Sequence, residues 1–484
     1  MLEPIDYQKI FTYFEEISSV PRGSYHNEKI SDYLVNFAKE HGLEYRVDEA
    51  LNVVIKKPAS PDCTRDEPVM LQGHMDMVCV SEDQTHDFQK QGLKLLIRDD
   101  YLEAEGTTLG GDDGIALAYM LAVLSRDEIT HPPIEAVFTT DEEVGMDGAS
   151  ALDVSDLRAK RLINIDNEEE GVLLVSCAGG ATARVTFRQE KTICSGEVIT
   201  FSVSGLTGGH SGTEIAKHPL NASILLGRIL AQAYEDHPFR LLSFTGGDKD
   251  NVITREAVCR IICDTDAAAL VQSLQKHAGV CGEEVRSAEP RVQFGVQRED
   301  ISQIECFDSG FTEAVLRFLN LTIIGVQVMS GDVPGMVESS LNMGIAATGE
   351  DEIRFGFSVR SQKGSYRDHM LEQLRWLGDC VSQGKAVFGF EVFGRYPAWD
   401  YKRDSLLRDI MIEESRKVLG REPRVEGIHA GLECGILSHK IPGLDIVSMG
   451  PDILDIHTVK ERMSISSARR NFDLLLRVLE RLAR

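Results

Sequence analysis

The stretch VMLQGHMDM, residues 69–77, decides the fold that we predict for this chain. An apolar run leads into polar residues at the point where a buried strand would end. The same pattern recurs in PIEAVFTTDEE, residues 133–143, and in RLINIDNEEE, residues 161–170. The apolar helix-like run IALAYMLAVL, residues 115–124, lies between the first two. Strands that alternate with helices indicate an α/β fold with a largely parallel sheet, and ligands collect where the strands end.

The pattern of apolar and polar residues changes near residue 181. ATARVTFRQ (181–189) and EVITFSVSG (197–205) alternate apolar and polar residues, as half-buried antiparallel strands do. Segments such as NASILLGRILAQAY (221–234) have the pattern of helices packed on one face, and the α/β texture returns after residue 399. We therefore predict a discontinuous α/β domain, residues 1–184 and 396–484, with an α+β domain, residues 185–395, inserted into it.

The composition narrows the possible partners. The 484 residues carry 51 basic and 77 acidic side chains and a net charge of −26, which argues against nucleic acid and membranes as partners. The N-terminal segment MLEPIDYQKIFTYFEEI predicts an amphipathic helix and not a signal peptide.

The ten cysteines form no C-x-x-C pair, which predicts reduced, buried thiols in a cytoplasmic protein. The thiols expected to be buried include Cys79, Cys177, Cys259 and Cys434.

His74 and Asp76 lie at the end of the first strand. Residues i and i+2 of a strand face the same side, so the two side chains can meet. A metal-bound imidazole usually gives its other N–H to a carboxylate, and Asp76 can serve as that partner. Taken alone, a His-x-Asp pair is more often a surface or capping feature.

Two acidic pairs follow. In LGGDDGIALA, Asp112 and Asp113 come after two glycines and before a helix, which suits either a helix N-cap or a carboxylate that bridges two cations. In TTDEEVG, Glu142 and Glu143 are adjacent at a strand end. Because adjacent residues usually point apart, one can bind metal while the other faces the substrate and moves a proton. A solvated acidic turn is the alternative.

Two further candidates complete the set. Asp166 follows the apolar run RLINI, whereas the acids at 168–170 are expected to be solvated. His457 lies in MGPDILDIHTVKE, where a lone histidine is more often a surface or core residue. Together the strand ends supply two imidazoles and at least three carboxylates, a donor set that suits Zn²⁺, Mn²⁺ or Co²⁺. Two such ions about 3.5–4 Å apart activate water and polarise a carbonyl.

Several long motifs occur in a fixed order along the chain: QGHMDMV, GTTLGGDDG, TDEEVGMDGA, INIDNEEEG, CAGG, GLTGGHSGTEI and HAGLECG. In these motifs, and over essentially the whole chain, the sequence resembles the M20 family of metallopeptidases. Within that family it is most similar to the aminoacyl-histidine dipeptidase branch, whose members are also called Xaa-His or cytosol non-specific dipeptidases. The resemblance implies a zinc-exopeptidase-like mixed sheet flanked by helices, with an inserted lid that also mediates dimerisation.

The resemblance also implies a role for each residue. Two Zn²⁺ ions, or Co²⁺ or Mn²⁺ in their place, would be held by His74, Asp112, Glu143, Asp166 and His457. Asp112 matches the carboxylate that bridges them, Asp76 the residue that orients His74, and Glu142 the general base and acid. Asp113 stands where the branch often has Asn and is not counted as a ligand.

Four residues are expected to contact the substrate by the same resemblance. His210 in GGHSG matches a histidine that helps to bind the oxyanion when the lid closes. Arg360 in FSVRS matches a basic residue for the substrate carboxylate, although a structural ion pair would explain it equally. His429 and Glu433 in HAGLECG are expected at the amino end or backbone of the substrate. GGHSG is not the G-x-S-x-G nucleophile elbow of a serine hydrolase, because Thr213, which follows Gly212, stands where that pattern needs its last glycine.

The implied activity is hydrolysis of dipeptides, Xaa-His among them, by a cytoplasmic homodimer. A related aminoacylase or tripeptide-processing aminopeptidase on the same scaffold is the first alternative, because the metal ligands do not distinguish these enzymes. An inactive peptide-binding homologue is the second, although every core position is present.

Overall fold

The computed structural model describes residues 7–484, with the side chains of all of these except residues 301 and 302. The predicted N-terminal helix is present from Gln8 onward, and its first six residues lie outside the described part. The chain divides into two compact units. The first unit comprises the described residues up to Cys177 with Trp399–Gly427 and Leu432–Arg484, and the second comprises Ala178–Ala398 with Ile428–Gly431.

The first part of the chain alternates strands and helices as predicted. Its elements are α1 (Gln8–Ser19), α2 (Glu28–Glu40), β1 (Glu44–Val47), β2 (Val53–Lys57), β3 (Val69–His74), β4 (Leu95–Arg98), β5 (Tyr101–Ala104), α3 (Gly111–Leu124), β6 (Ile134–Thr139), α4 (Asp147–Ala151), β7 (Arg161–Asn164) and β8 (Val172–Cys177).

The middle part is built mainly from long strands. Its elements are β9 (Gly179–Arg188), β10 (Thr192–Ser204), β11 (Gly209–His210), a 3₁₀ turn (Ile215–Lys217), α5 (Ala222–Asp236), β12 (Arg240–Asp248), β13 (Val252–Ile253), β14 (Ala257–Cys263), α6 (Ala267–Val285), β15 (Gln293–Cys306), α7 (Ser309–Leu321), β16 (Gly325–Met329), β17 (Val337–Thr348), β18 (Glu352–Ser361), α8 (Gly364–Ser382) and β19 (Val387–Tyr396).

The last part returns to the α/β pattern. Its elements are α9 (Leu406–Leu419), β20 (Arg424–Ile428), α10 (Glu433–Lys440), β21 (Asp445–Ser448), β22 (Ile453–Leu454), β23 (Arg462–Ser464) and α11 (Ile465–Ala483). Ser464 is the N-cap of helix α11: its hydroxyl accepts the N–H of Ser467 and so satisfies one of the free donors of the first turn.

The first unit is organised around an eight-stranded sheet of order β1-β2-β6-β3-β7-β21-β8-β20. Strands β6, β3, β7 and β21 at its centre run parallel, while β1, β2 and β8 pair antiparallel. The predicted α/β sheet is therefore mixed and parallel only at its centre. Helix α3 packs on β3 and α9 on β21, and the apolar residues of β3, β6 and α3 form one buried core. A separate four-stranded sheet has the order β22-β23-β5-β4.

The second unit has an antiparallel sheet of order β15-β10-β14-β12-β17-β18-β9-β19, with β16 paired to β17. Helix α5 packs against α6 and α7, and α8 packs on β9 and β18. A second hydrophobic core lies between these layers, rich in phenylalanines such as Phe187, Phe318 and Phe355. The predicted combination of an α/β fold and an inserted α+β unit is confirmed.

The junctions between the units differ from the predicted boundaries at 184/185 and 395/396. Strand β9 pairs with β18 and β19 from Gly179 to Arg188, so its first residues cannot belong to the preceding sheet. The break therefore falls before Ala178. The short segment Ile428–Gly431 also belongs to the second unit. No change in the pattern of apolar and polar residues indicated this.

The cysteines depart in part from the prediction of reduced, buried thiols. The free thiols of Cys177, Cys259 and Cys434 are buried as expected, but that of Cys79 is exposed. Cys194 and Cys306 form a disulfide between neighbouring strands β10 and β15, a pairing that spacing along the chain does not reveal. Among residues 7–484, no helix has both the length and the apolar character needed to cross a membrane.

Candidate metal centre and active site

The candidate residues of the first unit meet at one edge of its sheet. His74 is the last residue of β3, Asp166 follows β7 by two residues, and the Glu142–Glu143 pair follows β6. Because β6, β3 and β7 are parallel neighbours, all three segments leave the sheet at the same edge. His457 reaches this edge from the loop between β22 and β23.

Asp112 lies between the two histidines. Its Oδ1 is 3.0 Å from His74 Nε2, and its Oδ2 is 3.2 Å from His457 Nε2. Its backbone, at φ −81° and ψ 106°, lies outside the helical region, so Asp112 precedes the regular turns of α3. Its carboxylate faces the imidazoles and not the helix N-terminus, which favours the bridging interpretation over an N-cap.

Each histidine has a further carboxylate beside it. His74 Nε2 lies 3.6 Å from Asp166 Oδ1, and His457 Nε2 lies 2.9 Å from Glu143 Oε1. Asp112, Glu143 and His457 form one group whose ligand atoms all lie within 4.8 Å of one another. The site therefore has two halves, each with one imidazole and one carboxylate, that share Asp112.

Asp76 is fully buried and has more partners than the orientation of His74 requires. The Nδ1 of His74 lies 3.3 Å from Asp76 Oδ1 and 3.1 Å from the backbone carbonyl of Asp76. The Asp76 carboxylate also accepts the backbone N–H groups of Glu142 (3.1 Å) and Glu143 (3.4 Å), and the hydroxyl of Ser24 (2.8 Å). Asp76 thus holds the end of β3 and the turn after β6 in one arrangement.

The Glu142–Glu143 pair does not follow the strand geometry on which its prediction rested. Strand β6 ends at Thr139, and Glu142 begins a turn in which its carbonyl accepts the N–H groups of Gly145 and Met146. In a turn, neighbouring side chains can converge, and the carboxylates of both glutamates lie within 4.8 Å of His74. The prediction that the two would point apart is wrong, although both still face the site.

Asp113 lies closer to the site than its sequence position suggested. It is buried, its Oδ2 accepts the backbone N–H of His74 at 3.2 Å, and it forms a further group with His74 and Asp166 within the same 4.8 Å limit. A Cβ atom at Gly73 would lie 2.4 Å from the same oxygen. The glycine of QGHMDM therefore lets the start of α3 approach β3.

The charges in this group are unbalanced. Burial would lower the pKa of His74, but hydrogen bonds with Asp112 and Asp166 raise it well above its usual value. Asp112 and Glu143 raise the pKa of His457 to about 10, and burial raises that of Asp166 to about 6. The carboxylates outnumber the imidazoles, and they stabilise the protonated form of both histidines. Divalent cations would balance the same surplus and leave the imidazoles neutral, which is the form that binds metal.

The acids after Asp166 are less solvated than predicted. Burial raises the pKa of Glu168 to about 8, with Asp112 and Asp166 adding to the effect. The carboxylate of Glu170 is 9% exposed and pairs with Arg470 at 2.8 Å, so only Glu169, which is 63% exposed, fits the predicted solvated character.

Glu433 lies under the ends of β3 and β6. Its Oε2 accepts the side-chain N–H of Gln72 and the hydroxyl of Thr139, the latter at 2.6 Å. Its Oε1 is buried and has no hydrogen-bond partner among the described residues. Burial raises the pKa of Glu433 to about 8. The structure therefore places Glu433 among the residues that surround His74.

The other three predicted residues lie in the second unit. Arg360 on β18 donates to the hydroxyl of Tyr396 at 3.0 Å, and its Nε is buried without a partner among the described residues. In the sheet register, Gly180 pairs with both Arg360 and Tyr396, and a Cβ atom at Gly180 would lie 2.4 Å from the Tyr396 ring. The second glycine of the CAGG motif thus makes room for the tyrosine that holds Arg360.

His210 and His429 lie near Arg360 within that unit. His210 is half-buried on β11, and its Nδ1 accepts the N–H groups of Gly212 and Thr213 at 3.3 Å. His429 is buried and its Nε2 lies 2.7 Å from the hydroxyl of Ser340. Burial and the nearby guanidinium lower the pKa of both, that of His429 to about 3. Neutral His429 is therefore a hydrogen-bonding group, and Arg360 is the cation of the cluster.

The sequence profile of peptidase family M20/M25/M40 matches residues 70–481, which includes every candidate residue above. The chain belongs to peptidase family M20. It is accordingly a peptide hydrolase, and the predicted family and enzyme class are confirmed.

Two M20 relatives cover almost the whole chain. The cytosol non-specific dipeptidase of Escherichia coli is 34% identical over 486 aligned positions, which span 99% of this chain and 98% of the relative. The crystal structure of aminoacylhistidine dipeptidase from Vibrio alginolyticus superposes with a TM-score of 0.90 at 33% identity, over 99% of this chain and 97% of that one. The aminopeptidase PepT of Bacillus cereus, at 17% identity and a TM-score of 0.60, shares the fold.

The burial of His429 makes a pH dependence expected for this M20 peptidase. The folded protein keeps His429 neutral down to a pKa of about 3, whereas the unfolded chain binds a proton below about 6.5. The free energy of unfolding should therefore fall as the pH drops below 6.5, by up to about 1.4 kcal/mol per pH unit from this group. Urea unfolding of metal-free protein between pH 6.5 and 5 measures the slope, which should be shallower in His429→Asn.

The exposed His218, in the same unit, provides the control. It has φ 53°, a left-handed conformation that Asn accepts readily, so His218→Asn is a mild replacement. This variant is expected to keep the wild-type slope. An equal slope in wild type and His429→Asn would contradict the prediction.

Proposed function

We propose that this M20 peptidase is a two-metal dipeptidase that hydrolyses small peptides, Xaa-His dipeptides among them. The observation that carries the proposal is the position of Asp112, whose two oxygens each face a different histidine. A carboxylate placed in this way fits two cations side by side, one beside His74 and Asp166 and the other beside His457 and Glu143. The mixture of imidazole and carboxylate donors suits Zn²⁺, with Co²⁺ or Mn²⁺ as alternatives.

The bound ions would supply Lewis acidity, which lowers the pKa of water and polarises the scissile carbonyl. The protein supplies the proton transfer. The Glu142 carboxylate lies beside both His74 and Glu143, and the hydrogen bond from its N–H to Asp76 fixes its turn. We assign Glu142 as the base that takes a proton from the attacking water and then returns it to the leaving amine.

The residues of the second unit suit recognition of the substrate. The Arg360 guanidinium has a buried N–H without a partner among the described residues, and we assign it to the free carboxylate of the dipeptide. His210 is assigned to the oxyanion, where a donor aimed at developing charge is worth several kcal/mol. His429 is assigned to the amino end or backbone of the peptide, as is Glu433, which belongs to the first unit. The names of the two long relatives support a dipeptide substrate.

A substrate panel tests the proposal against other M20 chemistries. Protein reconstituted with Zn²⁺, Co²⁺ or Mn²⁺ is incubated with Xaa-His and other dipeptides, with tripeptides, and with N-acyl amino acids. Dipeptides should be cleaved fastest, and a chelator should abolish the activity. Faster hydrolysis of N-acyl amino acids than of dipeptides would identify the protein as an aminoacylase. Faster hydrolysis of tripeptides would identify it as an aminopeptidase. Failure to cleave any substrate with metal bound would indicate an inactive peptide-binding homologue.

Replacing Arg360 with methionine is expected to raise KM for dipeptides by about 10–100-fold, the effect of a lost hydrogen bond to a charged group. The value of kcat should change less, since the guanidinium binds the carboxylate equally in ground and transition states. Initial rates over a range of dipeptide concentrations measure both. Arg354→Met on the same strand is the control, because Arg354 is 48% exposed and pairs with Glu352. An unchanged KM in Arg360→Met would contradict the assignment.

We further propose a cytoplasmic homodimer, assembled through the second unit. The resemblance to M20 enzymes that dimerise through their inserted domain supports it. Sedimentation equilibrium of the purified protein measures the mass, and a monomer at micromolar concentration would overturn it.

A further inference from the structure

Glu461 is a buried carboxylate that accepts three backbone hydrogen bonds from one short segment. Its Oε2 accepts the N–H groups of Leu109 (2.9 Å) and Gly110 (3.1 Å), and its Oε1 accepts that of Gly111 (2.8 Å). This segment directly precedes Asp112. Three consecutive backbone hydrogen bonds to one carboxylate fix both the position and the orientation of a segment.

Arg22 is hydrogen-bonded to the same segment. It is 2% exposed, and it donates to the carbonyl of Gly110 and to those of Met75 (3.2 Å) and Asp76 (3.0 Å). A Cβ atom at Gly110 would lie 2.4 Å from the Arg22 guanidinium, and Gly110 has φ 63°. The glycine therefore serves both the left-handed backbone and the close approach of Arg22.

We propose that Glu461 and Arg22 are positioning residues that set the geometry of the metal site through the segment Leu109–Gly111. The inference rests on the proposed two-metal function. Asp112 must present one oxygen to each half of the site, and two adjacent glycines would leave its backbone free to rotate. Arg22 ties this segment to the residues that follow His74. Glu461 ties the segment Leu109–Gly111 to the loop of His457, because Glu461 ends the turn Thr458–Glu461 that directly follows His457.

The test compares two buried glutamates that make the same kind of contact. Glu135 is 3% exposed and accepts the backbone N–H groups of Arg158 and Ala159 at 3.0–3.1 Å. It lies at the start of β6, at the opposite end of that strand from the Glu142–Glu143 turn. Glu461→Gln and Glu135→Gln each remove one negative charge and turn one acceptor into a donor. Zn²⁺ alone is titrated into each metal-free protein in competition with a chelating indicator, and thermal unfolding of the metal-free proteins is recorded in parallel.

Glu461→Gln is expected to weaken Zn²⁺ binding by about 10–100-fold, the usual effect of losing a residue that orients a ligand. Glu135→Gln should lower the unfolding temperature to a similar extent and keep the wild-type affinity for Zn²⁺. If Glu461→Gln does not fold, Glu461→Asp takes its place, because it keeps the charge but draws the oxygens away from the segment, and the same loss is expected.

Two outcomes would overturn the inference. If the Glu461 variant binds Zn²⁺ with wild-type affinity, Glu461 has no positioning role. If Glu135→Gln loses as much Zn²⁺ affinity as Glu461→Gln, the effect is one of general stability and not of positioning. If the wild-type protein itself binds no Zn²⁺, Co²⁺ or Mn²⁺, the proposed function has failed and the inference fails with it. That case is distinguished by titrating the wild-type protein with each of the three ions.

Discussion

Glu142→Gln is expected to lower kcat for dipeptide hydrolysis by about 10²–10⁴-fold, the contribution of a well-placed general base. The amide has the shape of the carboxylate but cannot accept the proton of the attacking water. Metal content should remain at the wild-type level, because Glu142 is not among the proposed ligands and its backbone hydrogen bond to Asp76 is retained. Turnover of a saturating dipeptide and the metal content of the same samples are the two measurements.

The control is Glu44→Gln, which removes a charge from a side chain that is 76% exposed on β1. It should leave both turnover and metal content unchanged. Turnover of Glu142→Gln within a few-fold of wild type would refute the assignment of the base. Loss of metal in the same variant would instead make Glu142 a ligand, which its position within 4.8 Å of His74 and Glu143 would permit.

Asp112→Asn should have the other large effect, a loss of affinity for both metal ions. One oxygen of Asp112 faces His74 and the other faces His457, so removal of its charge weakens both halves of the site together. The loss should exceed about 100-fold, the upper end of what residues outside the ligand shell contribute. Activity should disappear at metal concentrations that saturate the wild-type protein.

The bridging role predicts a specific pattern of loss. Asp166→Asn removes a carboxylate only from the half of the site that contains His74. This variant should therefore lose one ion and retain the other. Metal content after dialysis, measured for both variants, separates the two cases. Two ions still bound to Asp112→Asn with wild-type affinity would contradict the bridging role.

Much of the candidate site was predictable from the sequence because its proposed ligands belong to local patterns. His74, Glu143 and Asp166 each follow an apolar run, and parallel strands bring such ends to a common edge. Residues that act through long-range contacts leave no such pattern. Glu461 and Gly111 are 350 positions apart, and Arg22 and Gly110 are 88 apart.

Signals for some of the missed residues were present but could not be interpreted. The glycine pair of CAGG marks the close approach of Tyr396 to Gly180, yet nothing in the motif names the tyrosine. Ser24, which donates to Asp76, lies in a segment without apolar periodicity. The segment Ile428–Gly431 belongs to the second unit although the residues on both sides belong to the first.

The sequence by itself determined the α/β class, the presence of an inserted unit, and the residue types that line the end of the parallel strands. These follow from hydrophobic periodicity and from the order of strands and helices, which are local properties of the chain. Only the tertiary structure decided that Glu142 and Glu143 share a turn, that Asp76 accepts the N–H groups of both, and that Glu461 and Arg22 hold the segment before Asp112. Buried polar groups must find hydrogen-bond partners, and folding chooses those partners from any part of the chain.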